Sequence, residues 1–170
     1  MSRKICIIDT SIFCCWLRIP SKETAGQQED MWDFERTNAK ITSEIDNGST
    51  LVLPLATLIE TGNHIAQAPH QRFELAQELA NHLAQSARSQ SPWAAFTEQA
   101  ELWTDEKLLE LSRIWPALAA GGTSMGDATI KDVADYYFKA NLTVEILTAD
   151  QQLKAYQPQR PTIPPPRRRR

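Results

Sequence analysis

At 170 residues, with 42% hydrophobic and 23% charged side chains, the chain has the size and composition of one folded domain with its own core. Its three cysteines form no disulfide or metal-binding pattern, and no apolar run reaches transmembrane length, so disulfide-stapled and membrane-spanning classes are excluded. The four arginines at residues 167–170 contribute +4 to a net charge of −3, so the rest of the chain carries −7. We therefore expect a cytoplasmic protein with an acidic body, a basic tail and no membrane contact.

Three short runs predict β-strands, at residues 5–8, 50–53 and 144–148. The first two runs are continuously apolar rather than alternating, which is typical of central parallel strands covered on both faces.

Helices are predicted between these strands. They cover residues 11–18, 30–46, a segment beginning near 57, 71–89, a segment beginning near 105 and a segment beginning near 126. Ser11 is expected to cap the first helix, and Pro116 is expected to kink or end the fifth. Strands that alternate with helices predict a three-layer α/β/α sandwich around a parallel sheet.

The domain is expected to span residues 1–157. Residues 158–170 are rich in proline and arginine, which predicts a disordered tail, with a weak indication of a fourth strand near 162–163.

Four acidic residues follow the predicted strands or open the predicted helices, and we call them the acid quartet: Asp9, Glu60, Asp127 and Asp150. In an open parallel sheet, the carboxyl ends of strands and the starts of the following helices share one edge. The acid quartet is therefore expected to converge there, beside the hydroxyls of Ser11 and Thr148.

Each acid also has a structural explanation. Residues 57–60 and 124–127 match helix-capping patterns, Asp150 can cap a helix, and acids favour any first helical turn. Asp9 is the hardest to explain in this way, because it directly follows an apolar strand and Ser11 already offers a cap.

Carboxylates brought together repel one another, and a divalent cation removes that conflict. A site of oxygen ligands without His or Cys favours a hard ion, so the cofactor predicted for the acid quartet is Mg²⁺ or Mn²⁺. Such an ion polarises a phosphoryl oxygen and lowers the pKa of a bound water.

Four segments resemble the PIN-domain family, in that family's order. They are DTS at Asp9, LPLATLIE ending in Glu60, SMGDATIKDVADYY around Asp127, and ILTAD ending in Asp150. The resemblance implies a PIN-like α/β/α fold and a metal-dependent endoribonuclease, as in VapC-type toxins. It implies that Asp9, Glu60 and Asp127 bind the metal and that Asp150 completes the cluster or positions a second ion or the water. Hydrolysis would leave a 5′-phosphate and a 3′-hydroxyl.

Lys131 departs from the family pattern. It lies four residues after Asp127, so it is interpreted as a surface ion pair with that acid, with contact to the scissile phosphate as the alternative. His64 and His82 are interpreted as solvated helix residues, and the tryptophans at 93, 103 and 115 as core or dimer residues rather than base-stacking platforms.

Two functions follow from these observations. The first is an endoribonuclease acting on RNA, as the toxin of a toxin–antitoxin pair or a defence effector, with an antitoxin or other protein partner and a homodimer left open. The second is a PIN-like module without catalysis that serves in binding or assembly.

Overall fold

The computed structural model describes residues 3–156 and 158, so the predicted tail beyond residue 158 and the weak fourth strand lie outside the described residues. Three strands form a parallel sheet: β1 (Lys4–Ile8), β2 (Thr50–Val52) and β3 (Thr143–Leu147). Their order is β2-β1-β3, with Ile5 opposite both Thr50 and Val144. The prediction of an α/β fold around a parallel sheet is confirmed.

Helices fill the connections between the strands. They are α1 (Thr10–Leu17), α2 (Phe34–Asp46), α3 (Leu55–Gln67), α4 (Arg72–Ala87), α5 (Asp105–Ala120), α6 (Met125–Lys139) and α7 (Gln151–Lys154), with 3₁₀ turns at Gln28–Asp30 and Phe96–Trp103.

The side chains of β1 alternate between two hydrophobic clusters, one on each face of the sheet. Cys6 and Ile8 pack into a cluster supplied by α1 to α4, whereas Ile5 and Ile7 pack against α6 and α7. These four residues of β1 are 3% exposed or less, whereas Lys4 at its start is half-buried. Burial on both faces explains why this strand is continuously apolar, and helices on both faces are compatible with the predicted α/β/α layers.

The predicted start of the second helix at residue 30 is wrong. Residues 28–30 form a 3₁₀ turn, and Trp32 enters the core from an isolated bridge with Ala25. The helix α2 begins at Phe34, because Asp33 accepts a hydrogen bond of 2.9 Å from the Arg36 backbone N–H. Trp32 is buried but lies before the helix, so its apolar side chain made the predicted helix too long at its amino end.

Pro116 does not end its helix. The helix α5 begins after its cap, Thr104, and runs through Pro116 to Ala120. Proline removes only its own backbone N–H donor, and the residues after it keep theirs. The Gly121 N–H, for example, still donates to Ala117 O at 3.2 Å. None of the helices in the described part of the chain is long and apolar enough to cross a membrane.

Candidate functional site

The sheet order places a crevice at the carboxyl end of β1. The chain leaves β1 for β2 on one side and later returns as β3 on the other side. Open parallel sheets bind ligands at this kind of switch point, outside the carboxyl ends of the strands. The segments that follow β1 and β3 therefore meet at one edge.

Asp9 follows the last residue of β1 and is hydrogen-bonded to the end of β3. Its backbone N–H donates to Leu147 O at 3.0 Å, and its Oδ2 accepts from Ser11 Oγ at 2.7 Å and Thr148 Oγ1 at 2.8 Å. Only 7% of Asp9 is exposed. Two hydroxyl donors fix one carboxylate oxygen of a nearly buried acid.

Ser11 is not the helix cap that the sequence predicted. Asp9 occupies the N-cap position of α1 without a capping side-chain bond, and Ser11 lies inside the first turn. Ser11 Oγ instead accepts from the Ala149 backbone N–H at 3.1 Å while it donates to Asp9. Ser11 therefore joins the start of α1 to the segment after β3.

Thr148 and Asp150 extend the same network. Thr148 Oγ1 accepts from the Asp150 backbone N–H at 3.0 Å, and the Thr148 residue is 2% exposed. Asp150 caps α7, because its Oδ1 accepts from the Leu153 backbone N–H at 2.8 Å. The capping explanation of Asp150 is confirmed, yet its exposed side chain also borders the crevice.

Glu60 reaches the crevice from α3. The capping box predicted at residues 57–60 is wrong, because α3 already begins at Leu55 and Thr57 Oγ1 donates to Ile8 O at 2.8 Å. That bond ties α3 to the end of β1. Thr10 Oγ1 then donates to Glu60 Oε2 at 2.8 Å.

Asp127 reaches the crevice from the first turn of α6. Ser124 caps this helix by accepting from the Asp127 backbone N–H at 3.0 Å, as the sequence predicted. Burial raises the pKa of the Asp127 carboxyl, and the negative charges of Asp9 and Asp150 raise it further. The three carboxylates therefore repel one another in this pocket.

The whole acid quartet and Ser11 line one open pocket of about 350 Å³, which we call the acid pocket. None of the ion pairs among the described residues involves a member of the quartet. Lys22 is the one lysine or arginine among the described residues that line the pocket. Among the residues that the structure describes, the negative charge of the pocket is thus left largely uncompensated.

The quartet is spread around the pocket rather than gathered to one point. Among the described residues, one set of three Cys, His, Asp or Glu ligand atoms lies within 4.8 Å of one another, and it is Cys6, Glu44 and Glu145. Glu60 and Asp150 are exposed side chains, whereas Asp9 is fixed by hydrogen bonds. Carboxylate oxygens that form no ion pair with the described residues suit Mg²⁺ or Mn²⁺, and Mg²⁺ in proteins usually keeps several water ligands beside one or two carboxylates.

The Cys6 set does not fit a metal. Lys4 and Lys40 already pair with both glutamates, at 2.6 Å to 3.1 Å. Burial, together with the charge of Glu44, raises the pKa of the Cys6 thiol to about 12, so Cys6 stays protonated. We interpret this set as a structural ion-pair cluster.

Lys131 lies outside the acid pocket. Its ammonium group lies 5.5 Å from the centroid of the Tyr156 ring, and among the described residues it forms no ion pair with Asp127. The ion-pair interpretation of Lys131 is therefore wrong.

Sequence reasoning missed Thr10 and Lys22. Thr10 stands inside the DTS motif and could have been found by its place beside Asp9, since a first-turn hydroxyl faces the same edge. Lys22 comes from the segment between α1 and α2, which the sequence predicts only as a loop. His64, one turn after Glu60, also lines the acid pocket.

The aromatic residues divide between core and surface. Trp93 is 3% exposed, which confirms its interpretation as a core residue, whereas Trp103 is 37% exposed. His82 is not solvated, because its ring packs among Phe13, Trp16 and Trp93, and burial lowers its pKa.

No family model matches the chain, no curated protein matches it, and no solved structure matches it.

Proposed function

We propose that this chain is a metal-dependent endoribonuclease with a PIN-like fold. The observation that supports it most is the acid pocket, in which four carboxylates from separate segments line one crevice at the carboxyl edge of a parallel sheet and form no ion pair with the described residues. The ordered motifs that carry these acids add to the proposal.

Asp9, Glu60, Asp127 and Asp150 would hold the Mg²⁺ or Mn²⁺. A bound divalent ion supplies a polarised phosphoryl oxygen and a water of lowered pKa, and it lets an acidic surface accept a phosphodiester.

The protein's own residues position the reacting groups. Ser11 and Thr148 fix one oxygen of Asp9, which would orient its carboxylate toward the ion. Thr10 orients Glu60 in the same way by donating to Oε2. Lys22, at the pocket wall, can bind a phosphate oxygen of the RNA as an exposed point charge.

The experiment is cleavage of labelled single-stranded and structured RNA with Mg²⁺ or Mn²⁺ and with EDTA. We expect cutting only with metal, and we expect Asp9→Asn and Asp127→Asn each to reduce the rate by about 100-fold or more while the melting temperature is retained. Asp132→Asn is the matched control, since Asp132 also lies on α6 but does not line the acid pocket.

If Asp9→Asn and Asp127→Asn cut RNA as fast as the unmodified protein, the assignment of the site is wrong. If the protein cuts none of a tRNA, an rRNA and an mRNA with either metal, the nuclease proposal fails.

The second candidate function is a binding or assembly module. It is favoured by α5, a helix of 16 residues in which no residue is buried and which exposes Leu108, Leu109 and Ile114. An antitoxin, another protein or a second copy of the chain could cover these exposed side chains. A chain that binds such a partner and cleaves no RNA would support this function instead.

A further inference from the structure

An apolar groove adjoins the acid pocket. It lies between α3 and α6, has a volume of about 240 Å³, and is also lined by Trp103. Its walls include Ile59 and Met125, which are 54% and 42% exposed, and the Trp103 residue is 37% exposed. Exposed apolar groups grouped in one concave site mark a binding surface more strongly than the same groups scattered singly.

The groove offers almost no hydrogen-bonding group of its own. The Thr129 hydroxyl, which also lines it, donates to Gly126 O at 2.8 Å and is already used. The other side-chain groups at the groove that can form hydrogen bonds are the Glu60 carboxylate and the Trp103 indole N–H. A ligand in this groove would therefore be held mainly by flat apolar contact.

Glu60 joins the groove to the acid pocket, because its side chain lines both. Gly126 allows the Glu60 carboxylate to lie against the start of α6. A Cβ built on Gly126 would lie only 2.5 Å from Glu60 Oε1. A polymer whose phosphate lies at the acid pocket thus places its neighbouring group at the mouth of the groove.

We propose that the groove binds one unpaired nucleobase of an RNA substrate, stacked on Trp103 and packed against Ile59 and Met125. The inference rests on the proposed ribonuclease function and adds a base subsite to it. Every base has an apolar face that an aromatic side chain can stack on, and a base in a duplex cannot reach such a groove. The groove therefore selects single-stranded RNA and tolerates all four bases.

The test is a double-mutant cycle of RNA binding that combines one protein variant with one change in the RNA. Binding is measured in the presence of Ca²⁺, a cation that also takes carboxylate ligands. Fluorescence anisotropy measures the affinity of labelled RNA 9-mers, one with all its bases and others with each position in turn made abasic. Trp103→Ala should weaken binding of the complete RNA by between about fivefold and about 100-fold, which is the range of base–aromatic stacking. One abasic position in the RNA should weaken its binding to the unmodified protein by a similar factor. The same abasic position should leave the affinity of the Trp103→Ala variant unchanged.

Phe73→Ala is the matched control, because Phe73 is 71% exposed on α4 and does not line the groove. It should bind every RNA as the unmodified protein does. Circular dichroism and melting temperature check that each variant is folded.

Four outcomes would overturn the proposal. The first three are no binding of any 9-mer by the unmodified protein, equal affinity of Trp103→Ala and the unmodified protein for the complete RNA, and losses from the variant and the abasic position that simply add. A dimer in analytical ultracentrifugation that Trp103→Ala converts to monomer would also overturn it, and would assign the groove to a second copy. If the two losses of affinity are coupled but the protein cleaves no RNA, the base subsite is supported and the ribonuclease function is rejected. If the protein cleaves RNA but the two losses are not coupled, the ribonuclease function is supported and the base subsite is rejected.

Discussion

Thr148 and Asp9 are joined across the sheet by a hydrogen bond of 2.8 Å from the threonine hydroxyl to Asp9 Oδ2. The same hydroxyl accepts from the Asp150 backbone N–H at 3.0 Å, so one buried oxygen links two members of the acid quartet. The orientation of Asp9 therefore depends on a residue that has no acidic group itself.

Thr148→Val tests this link. Valine keeps the shape but leaves the Asp150 N–H without its partner and removes one donor to Asp9, so we expect a loss of about 1–3 kcal/mol in the free energy of unfolding. Under the proposed ribonuclease function, the cleavage rate should fall as well, because Asp9 loses one of the two donors that fix its Oδ2. Urea denaturation and the RNA cleavage assay measure the two effects.

Thr37→Val is the control for this substitution. Thr37 is 0% exposed, and its hydroxyl has no hydrogen-bond partner among the residues that the structure describes. Its replacement should be neutral or stabilising, since no bond is broken. Equal destabilisation by both variants would show that the change reflects valine packing rather than the bond to Asp9.

Gly126→Ala tests the close approach of α6 to Glu60. The added Cβ would stand 2.5 Å from Glu60 Oε1, and the exposed Glu60 side chain can turn away from it. We expect the melting temperature to stay the same or rise, because alanine is the better helix former, while the cleavage rate falls as the carboxylate moves. Thermal unfolding and cleavage kinetics separate the two effects.

Gly62→Ala provides the comparison on α3. A Cβ there would lie 3.9 Å from Leu79 Cδ2, an ordinary contact. It should stabilise the protein to a similar degree and leave cleavage unchanged. Loss of activity in both variants would point to a general effect of stiffening the helices instead of displacement of Glu60.

The parts of the structure that the sequence predicts best are those set by local pattern. The apolar run of β1 and the caps at Ser124 and Asp150 are local signals, and each lies where it was expected. Parallel strand order then brings the acid quartet to one edge without further information. The shared pocket could therefore be predicted from short segments and one topological rule.

The features that sequence reasoning missed depend on distant contacts. Thr57 resembles a capping residue locally, but its hydroxyl is used by Ile8 O, 49 positions earlier in the chain. His82 resembles a surface residue on an amphipathic helix, yet three aromatic rings from other segments enclose it. Lys22 carries no local signal, because only the path of its loop brings it to the acid pocket.

Lys22→Ala and Lys131→Ala form a matched pair of charge removals. Lys22 lines the acid pocket, whereas Lys131 lies over Tyr156, so only Lys22→Ala should weaken RNA binding. Loss of one phosphate contact on a single strand should reduce the slope of log Kd against log salt by about 0.7. Anisotropy titrations at several salt concentrations measure this slope. The reverse result, with Lys131→Ala alone weakening binding, would restore Lys131 as the phosphate ligand.

Glu44 should make the protein sensitive to acid. Burial alone would raise the pKa of Glu44, but hydrogen bonds from Lys4, Lys40 and Ser49 lower it to about 2. Because the folded pKa lies below the unfolded value, this stabilisation is complete above pH about 4.5 and is lost as the pH falls through about 2. Glu44→Gln should therefore lower the free energy of unfolding at pH 7 by about 1–3 kcal/mol and reduce its decline between those pH values.

Glu110→Gln, which breaks the exposed pair with Lys107, should change stability by less than about 1 kcal/mol. An unchanged acid profile in Glu44→Gln, measured by urea denaturation from pH 7 to 2, would exclude Glu44 as the source.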